Sequence, residues 1–366
     1  MPSFYSWEEA LTSPEDFSFN STVVMSRDHH PPAGSLAFPN PNAPQGQAQM
    51  SQAVELWLPT PSTPNSNQTF TQWCYSTQVF QAMAMVSQIA FYRRGAGLGE
   101  NNLGSLVWQL NDIWQGVSWS SIEYSGRWKV LQYALTEIYS PVVAYPFWMP
   151  ETETLQITAF SDRWQDVAGT ATIDVYDWNG TLHCNFEKTY IIPSLNNSVL
   201  FETSGFDNIF PTRSCGGHGV SDLWMLITTK TEIENGVIVT SEQYVRALPL
   251  PGFPCDNLKD SHFKFTPTSL AKAHLVDPAI QVVYGHGLTF RLSAKGGVAA
   301  WTWIDHPSGT VGVFVDSNSQ KPLNGFFLIP GQDRTCTFMM HGVFTLDLKM
   351  KSTSDIRLEP VAFKSP

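Results

Sequence analysis

The sequence is short of charge. Only 14% of its 366 residues are Asp, Glu, Lys or Arg, and the 21 basic residues are outnumbered by 32 acidic ones for a net charge of -11. No run of Lys and Arg occurs, so a phosphate-binding surface for nucleic acid is excluded as an expectation. No stretch of eighteen apolar residues occurs either, and no membrane span is expected. The first residues, Met1-Pro2-Ser3-Phe4-Tyr5-Ser6-Trp7, offer neither a basic nor an apolar leader, so no signal peptide is read there. Cysteine is sparse: Cys74, Cys184, Cys215, Cys255 and Cys336 form no C-x-x-C pair, which argues against zinc. Cys184, Cys215 and Cys255 fall in a β-rich middle where one disulfide can form, whereas Cys74 reads as a small buried hydrophobe. No cofactor is implied.

Aromatic residues are plentiful, 13% of the chain with thirteen Trp, and 42% of residues are hydrophobic. That balance suits packed β-rich domains and sugar-binding clefts. The length predicts two or three domains. Four glycosylation sequons, at Asn20, Asn67, Asn179 and Asn196, favour a secreted, extracellular chain, although Asn179-Gly180 also reads as a two-residue hairpin turn.

Residues 1–66 show little periodicity, and their Pro, Asn and Ser clusters read as long surface loops. A helix is predicted over 70–94, with Thr69 or Thr71 as its cap, Arg93 and Arg94 against its C-terminal dipole and Gly95 as a left-handed stop. The apolar run Gly104–Leu110 predicts a strand buried on both faces. A second helix is predicted at 127–139. Beyond Tyr145, short alternating segments at 155–160, 171–176, 198–202, 223–229 and 236–241 predict a β-sandwich. Residues 249–254, which begin and end with Pro, and the polar stretch after them either end that domain or form an insertion before a last strand at 262–265. A second set, at 280–284, 288–292, 298–303, 311–315, 325–329, 335–338 and 344–350, predicts a smaller one. Trp148, Trp164, Trp178, Trp224, Trp301 and Trp303 are expected in the sandwich cores.

The segment Gly104-Ser-Leu-Val-Trp-Gln-Leu-Asn-Asp-Ile-Trp-Gln, continued by Ser118-Trp119-Ser-Ser-Ile-Glu-Tyr-Ser-Gly-Arg-Trp-Lys, resembles the last barrel strand, loop and helix of glycoside hydrolase family 2 β-mannosidases. Trp7-Glu-Glu-Ala-Leu, Ser26-Arg-Asp-His-His and Phe91-Tyr-Arg-Arg resemble flanking pieces of the same barrel. The resemblance implies α/β plus all-β architecture: the C-terminal remnant of a TIM (β/α)8 barrel over 1–145, an immunoglobulin-like sandwich over 146–271 and a smaller one over 272–366. It also implies retaining removal of terminal β-linked mannose from oligosaccharides. That chemistry needs two carboxylates about 5–5.5 Å apart. In the family both are glutamates, one after an Asn and one in a Ser-Glu-aromatic-Gly motif. This sequence contains no Asn-Glu pair, and Ser241-Glu242-Gln243-Tyr244 is only a superficial match. The expectation is therefore a β-mannosidase segment that does not turn over substrate alone. Its partners would be β-mannoside oligosaccharides, and either the rest of the enzyme or a second copy.

Trp108, at the predicted strand end, is the expected platform for a mannose ring, with Trp119 as a second wall. Gln109, Asn111 and Asp112 are candidates for sugar hydroxyls, with structural support of the loop as the alternative for Gln109 and Asp112. Arg27, His29 and His30 are candidates for contacts to a second sugar or for hydrogen bonding within the loop; no third ligand at metal spacing is seen beside them. Glu123 and Arg127 read as a surface ion pair, worth little. Two rival readings stay open. The sandwiches are a non-catalytic carbohydrate-binding or assembly module, or the sugar is not mannose.

Overall fold

The computed structural model describes residues 1–19, 21–27, 46–62, 66–102, 104–149, 152–204, 222–246, 270 and 273–343. These gather into two compact units. One comprises Met1–Ala82, Val107–Tyr133 and Asp277–Pro366; the other comprises Met83–Leu106 and Ala134–Val276.

In the first unit the N-terminal stretch is helical where loops were expected. Helices α1 (Phe4–Glu8), α2 (Thr22–Ser26) and α3 (Gly46–Trp57) precede α4 (Asn67–Arg94), whose first part lies in this unit. Ser3 and Ser21 cap α1 and α2 through their hydroxyls, a local device that a period search over short turns does not register. Met1, Trp7, Leu11, Val24, Phe70, Cys74 and Val117 then form a buried cluster, so apolar side chains expected to be exposed are covered. At the start of α4, Ser66 Oγ accepts from the Thr69 amide at 3.3 Å and the Thr69 hydroxyl accepts from the Ser66 amide at 3.2 Å. This reciprocal pair satisfies two otherwise orphan donors.

Among its described residues the same unit carries six strands in two antiparallel sheets: β8 (Gln281–Tyr284), β9 (Thr289–Ser293), β11 (Thr310–Asp316) and β13 (Arg334–Val343) in the order β11-β13-β9-β8, and β10 (Ala299–Thr302) with β12 (Phe326–Leu328). Phe290, Phe314, Phe326, Phe327 and Leu328 are buried in it. These strands fall on the predicted set; the segment 344–350 lies outside the described residues. Gly325 and Gly331 take φ +68° and +81° in the two turns that the Asn-Gly and Pro-Gly pairs mark, conformations that cost other residues a Cβ clash.

Among its described residues the second unit is a seven-stranded sandwich. One sheet has the order β1-β2-β5, from β1 (Val142–Met149), β2 (Thr154–Ser161) and β5 (Asn197–Ser204). The other has the order β4-β3-β6-β7, from β3 (Val167–Asp177), β4 (Leu182–Ile192), β6 (Leu223–Ile233) and β7 (Val237–Arg246). All pairings are antiparallel. Inward residues of both sheets, among them Val142, Leu155, Ile157, Ile173, Val175, Ile192, Met225 and Ile227, form one core. Strands β1 and β4 were missed: β4 is mostly polar and half exposed, leaving little apolar alternation to detect, and β1 is buried along almost its whole length, so it shows no alternation at all. The segment 262–265 is not among the described residues. The β3–β4 turn closes over three residues, with the Asp177 amide donating to Thr181 O at 3.1 Å and Gly180 at φ +90°. Asp177 carboxylate oxygen Oδ1 accepts from the amides of Asn179 and Thr181, both at 2.9 Å.

Several expectations are corrected. Helix α5 is Val130–Ile138, shorter than 127–139. Gly95 is not left-handed: α4 tightens into the 3-10 turn Gly95–Gly97. Arg93 does more than face a helix dipole, since it pairs with Asp162 at 2.6 Å and donates to Ser140 O at 3.1 Å while buried. Trp164 stands 78% exposed, unlike Trp148, Trp178, Trp224 and Trp303, which are buried. It follows β2 in a turn, where no facing sheet covers it. Cys184 is disulfide-bonded, while Cys74 and Cys336 are free and buried.

Candidate functional site

The site-bearing segment is not the buried strand predicted at 104–110. Those residues take no strand pairing there, and Leu106, Trp108 and Leu110 are exposed. A strand buried on both faces needs a paired neighbour along its edge to satisfy its amides and carbonyls. In this structure pairing begins only at its end: Ser121 N donates to Gln109 O at 3.2 Å, Ile122 N to Leu110 O at 2.9 Å and Asp112 N to Ile122 O at 2.9 Å. Residues 109–112 and 120–122 thus form the stem of a loop. The Trp108–Gln109 peptide bond is cis.

The candidate residues divide by what they touch. Trp108 is 74% exposed and Trp119 is 40% exposed, both on this loop and its approach. Gln109 Nε2 donates to Asn111 O at 2.9 Å, and Asn111 Nδ2 donates to Asp112 O at 3.0 Å. Asp112 does not reach outward. It is buried, 3.0 Å from the Lys129 ammonium, and accepts from the Ser118 hydroxyl. Lys129, also buried, donates to the Ser120 hydroxyl at 2.7 Å. Arg27 grips the middle of the loop: Nη1 donates to Gln115 O at 3.1 Å, its guanidinium lies 5.0 Å from the Trp114 ring centre, and Val117 N donates to its carbonyl at 2.8 Å. His29, His30 and Asn20 lie outside the described residues. Asn67 and Asn179 are exposed, whereas Asn196 is half-buried with Oδ1 accepting from the Asn197 amide at 2.7 Å.

Sequence reasoning misjudged Glu123 and Arg127, which are buried and not a surface pair. Glu123 accepts from Ser3 N at 2.6 Å, Ser3 Oγ at 2.8 Å and Gln78 Nε2 at 3.2 Å, and also from the Ser6 hydroxyl. Arg127 pairs with Asp305, donates to Pro307 O at 3.3 Å and lies 4.8 Å from the Tyr5 ring centre. No local pattern in the sequence reveals this, because most of the partners lie over a hundred positions away. Ser3, Gln78, Glu123, Arg127 and Asp305 line a small cavity of about 20 Å³, room for roughly one water. A buried carboxylate this fully bonded is structural: it has no lone pair free to attack or to shuttle protons. Glu242, on β7, accepts from the Tyr244 hydroxyl at 2.5 Å, and its amide donates to Glu137 at 3.2 Å. No group of three His, Cys, Asp or Glu among the described residues is placed to hold a metal ion, and no described helix is long and apolar enough to cross a membrane.

The chain is 36% identical to Beta-mannosidase A of Aspergillus terreus over 97% of its own length, which is 36% of that relative. Identity to Beta-mannosidase A of Aspergillus fumigatus is 37% over 93% of the chain and 34% of the relative. The chain is similar over most of its length to part of these β-mannosidases. It spans about a third of the length of the curated relatives it matches. Residues 275–356 match the Ig-fold domain family Ig_mannosidase. The fold resembles part of the β-D-mannosidase from Dictyoglomus thermophilum, with a TM-score of 0.63 over 99% of this chain and 36% of that one at 16% identity. The exo-chitosanase of Amycolatopsis orientalis matches at a TM-score of 0.56, covering 92% of this chain and 38% of that one at 15% identity. The regular structure of the described residues is mostly β, and residues 275–356 match an Ig-fold domain.

Proposed function

We propose that the chain acts within a retaining exo-β-mannosidase as the segment that supplies an aromatic wall for the terminal β-linked mannose, without the two catalytic glutamates. The observation that carries this reading is homology to Beta-mannosidase A over 97% of the chain. Exposed Trp108 and Trp119 add support, because a flat ring can stack on the apolar face of a sugar while Gln109 and Asn111 beside them offer amides to hydroxyls. Asp112 and Arg27 leave the sugar-contact set and join the loop's supports. The barrel remnant over 1–145 and the sandwich boundaries at 146–271 and 272–366 belong to the same proposal, as do glycosylation at the sequons and an extracellular location. The disulfide at Cys184 favours an oxidising compartment.

The test is to express residues 1–366 and assay release of nitrophenol from a β-mannoside. No turnover is expected, while mannobiose binding is expected to weaken about tenfold in Trp108→Ala. Ordinary turnover abolished by Glu242→Gln, or binding that ignores Trp108, overturns the reading. Binding that survives Trp108→Ala would instead favour the sandwiches as carbohydrate-binding modules.

A further inference from the structure

Lysine is among the residues least often fully buried, yet Lys129 has no exposed side-chain surface. Its ammonium lies 3.0 Å from Asp112 Oδ2 and 2.7 Å from Ser120 Oγ. Those two residues are the opposite ends of the loop that carries Trp114 and Trp119. Its own backbone amide donates to Ser121 O at 2.9 Å. The Ser118 hydroxyl closes on the other Asp112 oxygen, and Ser118 Oγ also accepts the Ser120 amide at 3.1 Å. Gln81, on α4, donates to the Trp119 carbonyl at 2.7 Å. A side chain with an apolar stem and three donors at its tip is suited to such a staple: it joins two strands of a loop from beneath while leaving the outer face to others. A buried charge is retained at a cost that an apolar pair would avoid, which points to a demand for geometry rather than stability.

We propose that Lys129 is a positioning residue: by holding Asp112 and Ser120 together, it fixes the loop so that Trp119 stands beside Trp108 in sugar-binding register. This rests on the reading that Trp108 and Trp119 meet sugar. Lys129 touches no substrate. It acts through the loop, and Asp112 is its counter-charge.

The experiment uses the whole 366-residue chain labelled with 5-fluorotryptophan, the Trp114 and Trp119 resonances being assigned by single Trp→Phe replacements. Asp112→Asn/Lys129→Met removes both charges together, so that neither is left buried alone. Ser120→Ala keeps the ion pair and removes only the ammonium's hold on the far end of the stem. Both variants are expected to melt near the parent temperature, to shift and broaden the Trp119 resonance, and to bind β-1,4-mannotriose about tenfold more weakly in the double variant. Parent-like resonances in Ser120→Ala and in whichever of the two variants folds overturn the proposal. If the parent itself fails to bind mannotriose, the sugar reading falls, while the fluorine spectra still decide whether Lys129 orders the loop.

Discussion

At the scale of single residues, a buried guanidinium and a buried neutral imidazole shape the first unit. Arg127 is surrounded by Asp305, Glu123, the Pro307 carbonyl and the Tyr5 ring. Replacing it with Met leaves buried carboxylates without a counter-charge, and the expected loss is about 3 kcal/mol in urea-induced unfolding. A parent-like midpoint would show that the pair contributes nothing. His306 is the other sensitive group. Burial, and then the nearby Arg127 charge, hold its imidazole well below the ordinary value of 6.5. The ring stays neutral in the fold, its Nδ1 lying 2.7 Å from the Thr310 hydroxyl. Below pH 6.5 the unfolded chain takes up a proton that the folded one refuses, so stability is full above that pH and declines as pH falls beneath it. Melting temperatures of the parent and of His306→Gln between pH 7.5 and 5 check this: the parent should drop more steeply. The thiols behave oppositely. Burial pushes Cys74 and Cys336 up to about 12, so neither should react with a disulfide reagent at pH 8 until the chain unfolds.

At the scale of elements, tryptophan shows why a residue type does not fix its role. Trp224 is wholly buried, 5.1 Å from Tyr176 and 6.1 Å from Trp178 in stacked arrangements, and donates from Nε1 to Asp177 O at 3.1 Å. Trp164 lies in the turn after β2, largely in water. Trp224→Ala should cost about 4 kcal/mol by denaturant unfolding, whereas Trp164→Ser should stay within about 0.5 kcal/mol. Equal effects would mean that the assignment of sheet faces is wrong. Most strands were legible because alternation and Gly turns act locally, whereas β1 and β4 were not. Gly325 shows the mechanism: its φ of +68° sits between Asn324 and β12, with the Asn324 side chain donating to Ile304 O at 2.8 Å. The strand expected at 104–110 was not legible in the same way, since an apolar run states that a segment wants cover but not whether a neighbour in this chain provides it.

At the scale of the whole molecule, the exposed residues Trp108, Leu110, Ile113 and Trp114 fall within one short segment. The dye 8-anilinonaphthalene-1-sulfonate should bind the parent and fluoresce less with Leu110→Ser/Ile113→Ser, because a local concentration of exposed apolar surface is what such a probe reports. The sequence by itself determined the two β-sandwiches, the long helix α4, the poverty of basic surface and the β-mannosidase relationship, since each is written in short-range periodicity or in contiguous motifs. Only the tertiary structure decided that Asp112, Glu123 and Arg127 turn inward, that Lys129 lies beneath the aromatic loop, and that Trp108 stands clear of a strand. Those outcomes depend on partners brought from distant parts of the chain, such as Ser3 to Glu123 and Asp305 to Arg127, and the direction in which a charged side chain points is set by the partner that offsets its desolvation.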